Sequence, residues 1–207
     1  VIDGSGPGSS FTFTTTQGAS DLTVDSPAEG WSRVRGFANG IAFEDLYFSN
    51  VESVVLDAAL GDTPGDDMDR VTIASTFRAT GLKNFDILTG EGDDAIVIGT
   101  NSLAPPVSGG IVSLDVGGGN DRLIGIGADT LWRVTGLNEG SVYGMNFRGV
   151  EDLEGAADNK DHFLFEAGAS LSGGIHGGDR GFDTLEMLET NFSRAVFAAE
   201  GPDSGWV

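Results

Sequence analysis

The sequence predicts an all-β fold, and within that class a right-handed parallel β-solenoid with acidic Gly/Asp turns. Apolar residues with the 3.6-residue period of a helix are nearly absent, whereas short alternating apolar and polar runs recur along the 207 residues. Gly, Asp, Asn and Ser separate these runs, and the chain has 33 glycines and 32 acidic residues to form the turns. Similar phrases also recur at a fairly regular spacing, which is typical of stacked coils. An antiparallel β-sandwich is the alternative fold.

The predicted strands follow one another along the whole chain. Each is a short run of four to eight residues rich in strand-forming residues, and Gly, Asp, Asn or Ser separates it from the next. The two adjacent prolines place residues 104–107 in a loop, because proline cannot donate to a central strand. Only the segment 183–199 has apolar spacing that also allows a short helix. In order, the predicted strands are 10–16, 21–24, 41–48, 53–58, 70–75, 85–88, 95–99, 111–116, 122–126, 131–134, 162–167, 170–175, 184–188 and 194–198.

One sequence pattern occurs five times. Near its end, each copy contains an aspartate that directly precedes a predicted strand. The copies span 48–73, 82–98, 110–126, 147–165 and 171–187, and their final aspartates are Asp69, Asp94, Asp121, Asp161 and Asp183. Most successive aspartates are about 25 residues apart, which suits one coil of a solenoid. The longer step from Asp121 to Asp161 contains an extra segment, 127–134, which predicts an enlarged coil.

These repeats predict one solenoid domain with short flanking segments. Residues 1–20 are expected to form an edge strand or linker, residues 21–200 the repeat domain, and residues 201–207 a linker or the start of another repeat. The expected coils lie near 40–75, 76–100, 108–135, 136–168 and 169–190. A longer period, from Trp31 with Val51-Glu52 to Trp132 with Val150-Glu151, suggests an array that continues beyond Val207.

Two of the turns carry a recognisable pattern. TGEGDDAIV at 89–97 and VGGGNDRLI at 116–124 resemble the G-G-x-G-x-D-aliphatic signature of repeats-in-toxin (RTX) calcium-binding proteins, and GGDRGFDTL at 177–185 approaches it. The resemblance implies calcium bound between adjacent coils of a secreted protein. Since the turns occur once per coil, isolated sites are expected. The predicted ligand residues are Gly90, Glu91, Gly92, Asp93, Asp94, Gly117, Gly119, Asp121, Asp66, Asp67, Asp69, Asp161, Asp179 and Asp183.

Electrostatics gives a separate reason to expect a cation in these turns. Adjacent strands lie about 4.8 Å apart, and two carboxylates at ~5 Å with an effective dielectric near 20 repel each other by roughly 3 kcal/mol. Calcium prefers six to eight oxygen ligands, of which one turn offers only part. Two stacked turns therefore either hold a divalent cation or extend their carboxylates into water.

Composition limits the remaining function classes. The net charge of -21 opposes binding to nucleic acid and to anionic membranes, and the absence of cysteine excludes thiolate metal sites and thiol enzymes. No apolar run is long enough for membrane insertion. We expect a non-catalytic structural or adhesive module of a large extracellular or surface-attached bacterial repeat protein. Its expected partners are calcium, neighbouring repeats or identical subunits in fibres, and extracellular glycans.

Two rival functions remain, together with a few side chains of ambiguous role. Three carboxylates and a basic residue in one cleft would support a polysaccharide-active β-helix enzyme of the lyase or epimerase class. Aromatic side chains exposed on one flat face would favour a glycan-binding module. Most of six phenylalanines are predicted to stack in the core instead, and three tryptophans to have a structural role: Phe43, Phe48, Phe85, Phe147, Phe163 and Phe165, and Trp31, Trp132 and Trp206. His162 is expected to point outward beside Phe163, and His176 to lie in an exposed turn.

Overall fold

The computed structural model describes residues 1–62, 68–99, 110–188, 198–201 and 204–206, and its regular elements are β-strands. The all-β prediction is therefore confirmed for this part of the chain. The strands are β1 Ile2–Asp3, β2 Ser10–Thr14, β3 Ser20–Ala28, β4 Trp31–Ala38, β5 Ile41–Ala42, β6 Leu46–Ser49, β7 Ser53–Asp57, β8 Arg70–Ile73, β9 Asn84–Leu88, β10 Ala95–Ile98, β11 Ile111–Asp115, β12 Arg122–Ile124, β13 Thr130–Gly136, β14 Glu139–Val142, β15 Met145–Arg148, β16 Asp152–Glu154, β17 Asp161–Phe165, β18 Ile175–His176, β19 Thr184–Met187, β20 Ala198–Gly201 and β21 Ser204–Trp206.

Two large mixed sheets contain nearly all of these strands. The first sheet has the order β1-β6-β4-β3-β8-β10-β12-β16-β18, with β5 paired to β4. The second sheet has the order β19-β17-β13-β14-β15-β11-β9-β7-β2, and β20 pairs with β21 separately. From β3 through β8, β10, β12 and β16 to β18, neighbouring strands of the first sheet run parallel. The chain thus visits the two sheets in turn and returns one strand further along.

The parallel pairing stacks like residues in register, and this stacking forms the core. On the first sheet, aligned apolar residues face inward on six successive strands, and all are buried: Leu22, Val71, Ile96, Leu123, Leu153 and Ile175. On the second sheet Val54, Phe85, Val112 and Met145 align in the same way. Their buried area comes mainly from aliphatic and aromatic side chains, which supply the hydrophobic driving force.

Two antiparallel excursions interrupt the parallel order, which the prediction of a purely parallel arrangement missed. β3, β4 and β6 form one antiparallel run, and β13, β14 and β15 form the other.

The strands β4, β14 and β15 were not predicted because Gly, Arg or Asn interrupts their apolar pattern. The predicted strand 41–48 is divided into β5 and β6, and only the end of 170–175 is strand. The predicted loop 104–107, and residues 194–197 of the last predicted strand, lie outside the described residues.

Several aromatic side chains pack against each other in the interior, which agrees with the structural role predicted for them. Trp132 is fully buried and stacks on Phe163 with ring centroids 5.5 Å apart. Phe85 lies between Phe48, at 6.1 Å, and Phe77, at 4.6 Å. Phe48 belongs to the first sheet and Phe85 to the second, so this contact spans the space between the sheets, and removal of Phe85 would leave a cavity.

We expect Phe85→Ala to lower the free energy of unfolding by about 3–5 kcal/mol, because the cavity adds to the lost burial. Urea unfolding followed by circular dichroism measures this loss. Asn84→Ala is the matched control on the same strand, since Asn84 is exposed, and a change within about 0.5 kcal/mol is expected there. Equal effects of the two substitutions would contradict the assignment of Phe85 to the core.

Candidate functional site

Three buried aspartates lie immediately before three neighbouring parallel strands. Asp69 precedes β8, Asp94 precedes β10 and Asp121 precedes β12, and their exposed fractions are 1%, 1% and 0%. Because these strands are paired in register, their preceding residues are aligned as well. We call Asp69, Asp94 and Asp121 the aspartate ladder.

Each ladder carboxylate accepts a hydrogen bond from a backbone N–H at the start of the preceding parallel strand of the first sheet. The Ser20 amide donates to Asp69 Oδ1 at 2.6 Å, and the Asp69 amide donates to Asp94 Oδ1 at 2.7 Å. The Asp94 amide donates to Asp121 Oδ1 at 2.8 Å, and the Asp121 amide donates to Glu151 Oε2 at the same distance. Buried amides require partners, and an ionised acceptor makes such bonds stronger than neutral ones. The ladder therefore joins neighbouring parallel strands where the sheet hydrogen bonds begin.

The step after Asp121 corrects the predicted order of the repeats. Glu151, 30 residues further on, takes the position that Asp161 was expected to occupy. Asp161 instead begins β17 in the second sheet, where its amide donates to Asp183 Oδ1 at 2.9 Å. The β13–β15 excursion causes this change, since it adds strands to the second sheet before the chain returns to the first.

Burial makes the ionised form of the ladder costly. It raises the pKa of Asp94 to about 6, although the hydrogen bond from the Asp69 amide opposes the rise. Burial also raises the pKa of Asp121 to about 7; the Asp94 amide opposes this rise, while the Asp94 and Glu151 carboxylates add to it. The Oδ2 atoms of Asp94 and Asp121 are buried and have no hydrogen-bond partner. A proton or a cation at these two oxygens would remove that cost.

The Gly-rich turns before the ladder stack closely on each other. The Gly118 amide donates to Gly90 O at 2.8 Å, and the Gly92 amide donates to Gly118 O at 2.8 Å. Gly117 and Gly119 have positive φ angles of 92° and 145°, and a Cβ at either would overlap a carbonyl oxygen of the turn beneath. Both positions therefore require glycine. The carbonyls of Gly90 and Gly118 are used by neighbouring amides in this stack.

The other predicted ligand residues are distributed around this stack or away from it. Asp93 is exposed, and its Oδ1 accepts the Asn120 amide at 2.9 Å. Glu91 is half-buried, and one of its carboxylate oxygens lies close to Gly118. Asp62 packs against Gly90. The predicted ligands Asp66 and Asp67 lie outside the described residues.

The Asp161 region lies in the other sheet and is a separate cluster. Burial raises the pKa of Asp161 to about 6, against hydrogen bonds from Asn159 and Trp132. Asp183 is exposed apart from its hydrogen bond to the Asp161 amide, and the carboxylate of Asp179 is also exposed. The predicted ligands thus do not converge on one point. Within the part of the chain that the structure describes, no group of three or more His, Asp or Glu residues is arranged to hold a metal ion.

The histidines take no part in these clusters. His162 lies on the face opposite Phe163, as predicted, with Nε2 2.9 Å from Glu186 Oε2. His176 was expected in an exposed turn, but it lies half-buried in β18, where Nδ1 accepts the Gly178 amide. Pairing of β18 with β16 draws His176 into the sheet.

Sequence reasoning missed a cleft on the outer face of the second sheet. It has a volume of about 630 Å³, and its lining includes Asp86, Asp115, Glu139 and Arg148. These residues occupy outward-facing strand positions, and they are far apart in the sequence. Alternation along β9, β11 and β15 indicates that they face outward, but only the pairing of the strands brings them together.

We expect the aspartate ladder to make the metal-free protein less stable as pH rises from about 5 to about 8. The folded-state pKa values of Asp94 and Asp121, about 6 and about 7, exceed the ordinary value of 3.8. The folded state therefore binds more protons, and this contribution is lost as pH passes through these values. Urea unfolding in the presence of chelator measures the trend. A free energy of unfolding that rises over this range would contradict it.

Two substitutions at Asp121 separate its charge from its role as an acceptor. Asp121→Asn keeps an oxygen for the Asp94 amide and removes the charge, so we expect higher stability than wild type at about pH 8 with chelator. Asp121→Ala leaves the buried Asp94 amide without its acceptor, and we expect a loss of about 1–3 kcal/mol. If both variants lose the same stability, the carboxylate–amide bond is not the important interaction.

Comparison with known proteins gives no similarity from which to assign a family. No protein-family model matches the chain, and neither a curated protein nor a solved structure is significantly similar to it. In the described residues, no helix is long and apolar enough to cross a membrane. The candidate sites therefore rest on the geometry of the chain itself.

Proposed function

We propose that this chain is a non-catalytic structural module of a large extracellular bacterial repeat protein, built as a right-handed parallel β-solenoid. The observation that carries the proposal is the aspartate ladder, in which each coil supplies the acceptor for an amide of the coil before it. Successive ladder aspartates are separated by 25 and then 27 residues, which suits one coil per step. Such a chain would serve as a stalk, adhesin or matrix element.

The register of the core supports a solenoid more than the alternative sandwich. Six buried residues align across the parallel strands of the first sheet, and this alignment arises naturally when each coil lies on the last. The two antiparallel excursions are the features that favour a sandwich. A crystal structure or cryo-electron map of a chain with additional repeats distinguishes the two folds. A solenoid grows along one axis, whereas sandwiches form separate beads.

Calcium is the cation that we propose to stabilise this module. The buried Oδ2 atoms of Asp94 and Asp121 offer hard, anionic oxygen, which suits calcium. The carbonyls of Gly90 and Gly118 already accept amides of the stacked turns, so they are less suited to serve as ligands. We therefore place the proposed cation beside the aspartate ladder. Calcium there would replace the protons that Asp94 and Asp121 otherwise bind.

The edges of the second sheet suggest how neighbouring repeats or identical subunits would join. β2 and β19 are the terminal strands of the second sheet within the described residues, and each pairs on one side. Strand edges of this kind offer N–H and C=O groups to another coil. Assembly into fibres would extend the coil order by the same hydrogen bonds.

A polysaccharide-active enzyme is the second candidate function. The outer cleft favours it, since Asp86, Asp115, Glu139 and Arg148 provide three carboxylates and a basic residue. However, Arg148 already pairs with Asp115, so the cleft has little positive charge left for a uronate. Incubation with alginate and polygalacturonate, followed by ultraviolet absorbance of unsaturated products, tests lyase activity. Product formation that Asp115→Asn abolishes would replace the structural proposal.

We expect calcium to raise the melting temperature at about pH 8, and chelator to reverse the effect. A ligand at 100 times its Kd adds about 2.7 kcal/mol to the free energy of unfolding. Asp94→Asn/Asp121→Asn removes both proposed ligands and should abolish the response. Asp93→Asn is the control, because it changes an exposed carboxylate in the same turn and should keep the response.

Differential scanning calorimetry with calcium, magnesium and chelator makes this comparison. If calcium does not change the melting temperature of the wild type, the proposed cation is wrong. The proposal is then a structural module whose stability depends on protonation of Asp94 and Asp121. Loss of the response in Asp93→Asn alone would move the cation into the turn that resembles the RTX pattern.

A further inference from the structure

The outer cleft lies where the parallel and antiparallel parts of the second sheet meet. β9 and β11 belong to the parallel run, and β15 then pairs antiparallel with β14. The floor contains Leu114 and Phe147, which are 1% and 3% exposed. Gly140 completes the floor, and a Cβ there would overlap the Arg133 carbonyl oxygen and press on the Phe147 ring. The excursion therefore creates a cleft with a packed base.

Polar side chains line this cleft in two rows that run across the strands. In the first row Asp86 aligns with Ser113, and Ser113 aligns with Asn146. In the second row Asp115 aligns with Arg148, and Arg148 aligns with Glu139. With adjacent strands about 4.8 Å apart, each row of three spans roughly 10 Å. A ligand that lies between the two rows and parallel to them would cross the strands.

The charges of the cleft favour a cationic ligand. Arg148 forms an ion pair with Asp115, which neutralises both. Asp86 and Glu139 form no ion pair within the described residues, so two negative charges remain in the lining. The net charge of -21 adds to this potential and repels anions from the cleft.

The backbone of the cleft is not free to bind a peptide as an added strand. β9, β11 and β15 each pair with a strand on both sides, so their main-chain groups are already used. Recognition must come from side chains, and Ser113, Thr135 and Asn146 offer hydroxyl and amide groups beside the carboxylates. These groups both donate and accept hydrogen bonds, as do the hydroxyls of a sugar.

From this combination we propose that the outer cleft binds an oligosaccharide with free amino groups, such as an oligomer of glucosamine. The ammonium groups face Asp86 and Glu139, and the sugar hydroxyls bond to Ser113, Asn146 and Thr135. Val55 and Leu88, which also line the cleft, contact the apolar faces of the rings. This binding role goes beyond the structural role of the ladder, because it uses the opposite sheet and different residues.

Calorimetric titration of the intact chain with the glucosamine tetramer tests the proposal, at about pH 6 so that the amines are protonated. The N-acetylated tetramer and tetragalacturonate are the comparison ligands. We expect saturable binding of the glucosamine tetramer, at least about tenfold weaker binding of the N-acetylated form, and no binding of tetragalacturonate. Absence of saturable binding, or equal affinity for the two glucosamine-based tetramers, would overturn the proposal.

A pair of double variants tests the location. Asp86→Asn/Glu139→Gln removes the two unneutralised charges. We expect roughly tenfold weaker binding, because the variant loses two partly exposed ion pairs with the ammonium groups of the ligand. Asp21→Asn/Glu44→Gln removes the same charge from exposed positions near the first sheet and should bind as wild type does. Equal weakening in both would show non-specific attraction to an acidic protein and would overturn the cleft assignment. Unchanged urea midpoints for both variants show that folding is preserved.

Binding and the structural proposal fail in distinguishable ways. Binding of the tetramer without a calcium response would support the proposed cleft and contradict the proposed cation. A calcium response without binding of the tetramer would support the proposed cation beside the aspartate ladder and contradict the proposed binding role of the cleft.

Discussion

A hydrogen bond between a buried carboxylate and a backbone amide at the start of the preceding parallel strand is the interaction on which this structure depends. Asp69, Asp94 and Asp121 each accept such a bond just before a strand begins. The bond fixes the start of β8, β10 and β12 relative to one another, so their inward-facing residues fall into register. The stacked core of Val71, Ile96 and Leu123 is then a consequence.

The same interaction carries an electrostatic cost that links folding to solution conditions. Only one oxygen of Asp94 and of Asp121 is satisfied by an amide, and the buried Oδ2 atoms lie in a strongly acidic protein. Protonation lowers that cost below neutral pH, and the proposed calcium would lower it at higher pH. The stability of the proposed module would thus depend on the pH and the cations of its surroundings.

The antiparallel excursions give the two sheets different roles. In the first sheet the parallel run from β3 to β18 carries the ladder and the most regular core. In the second sheet the β13–β15 excursion delays the return of the chain, which moves Asp161 away from Asp121 and opens the outer cleft. One insertion therefore both breaks the repeat and creates the proposed binding surface, without disturbing the carboxylate–amide bonds on the other side.

The sequence by itself determined the all-β class, most of the strands and the aspartates that precede them. These features are local: alternation of apolar residues, glycine turns and the Asp-x-aliphatic pattern depend on a few adjacent residues. Tertiary structure alone decided that Glu151 follows Asp121 in the stack, and that Asp86, Asp115, Glu139 and Arg148 share a cleft. Those relations depend on which strands pair and on where β14 and β15 intervene. Pairing is set by long-range packing and register, which no short stretch of sequence encodes.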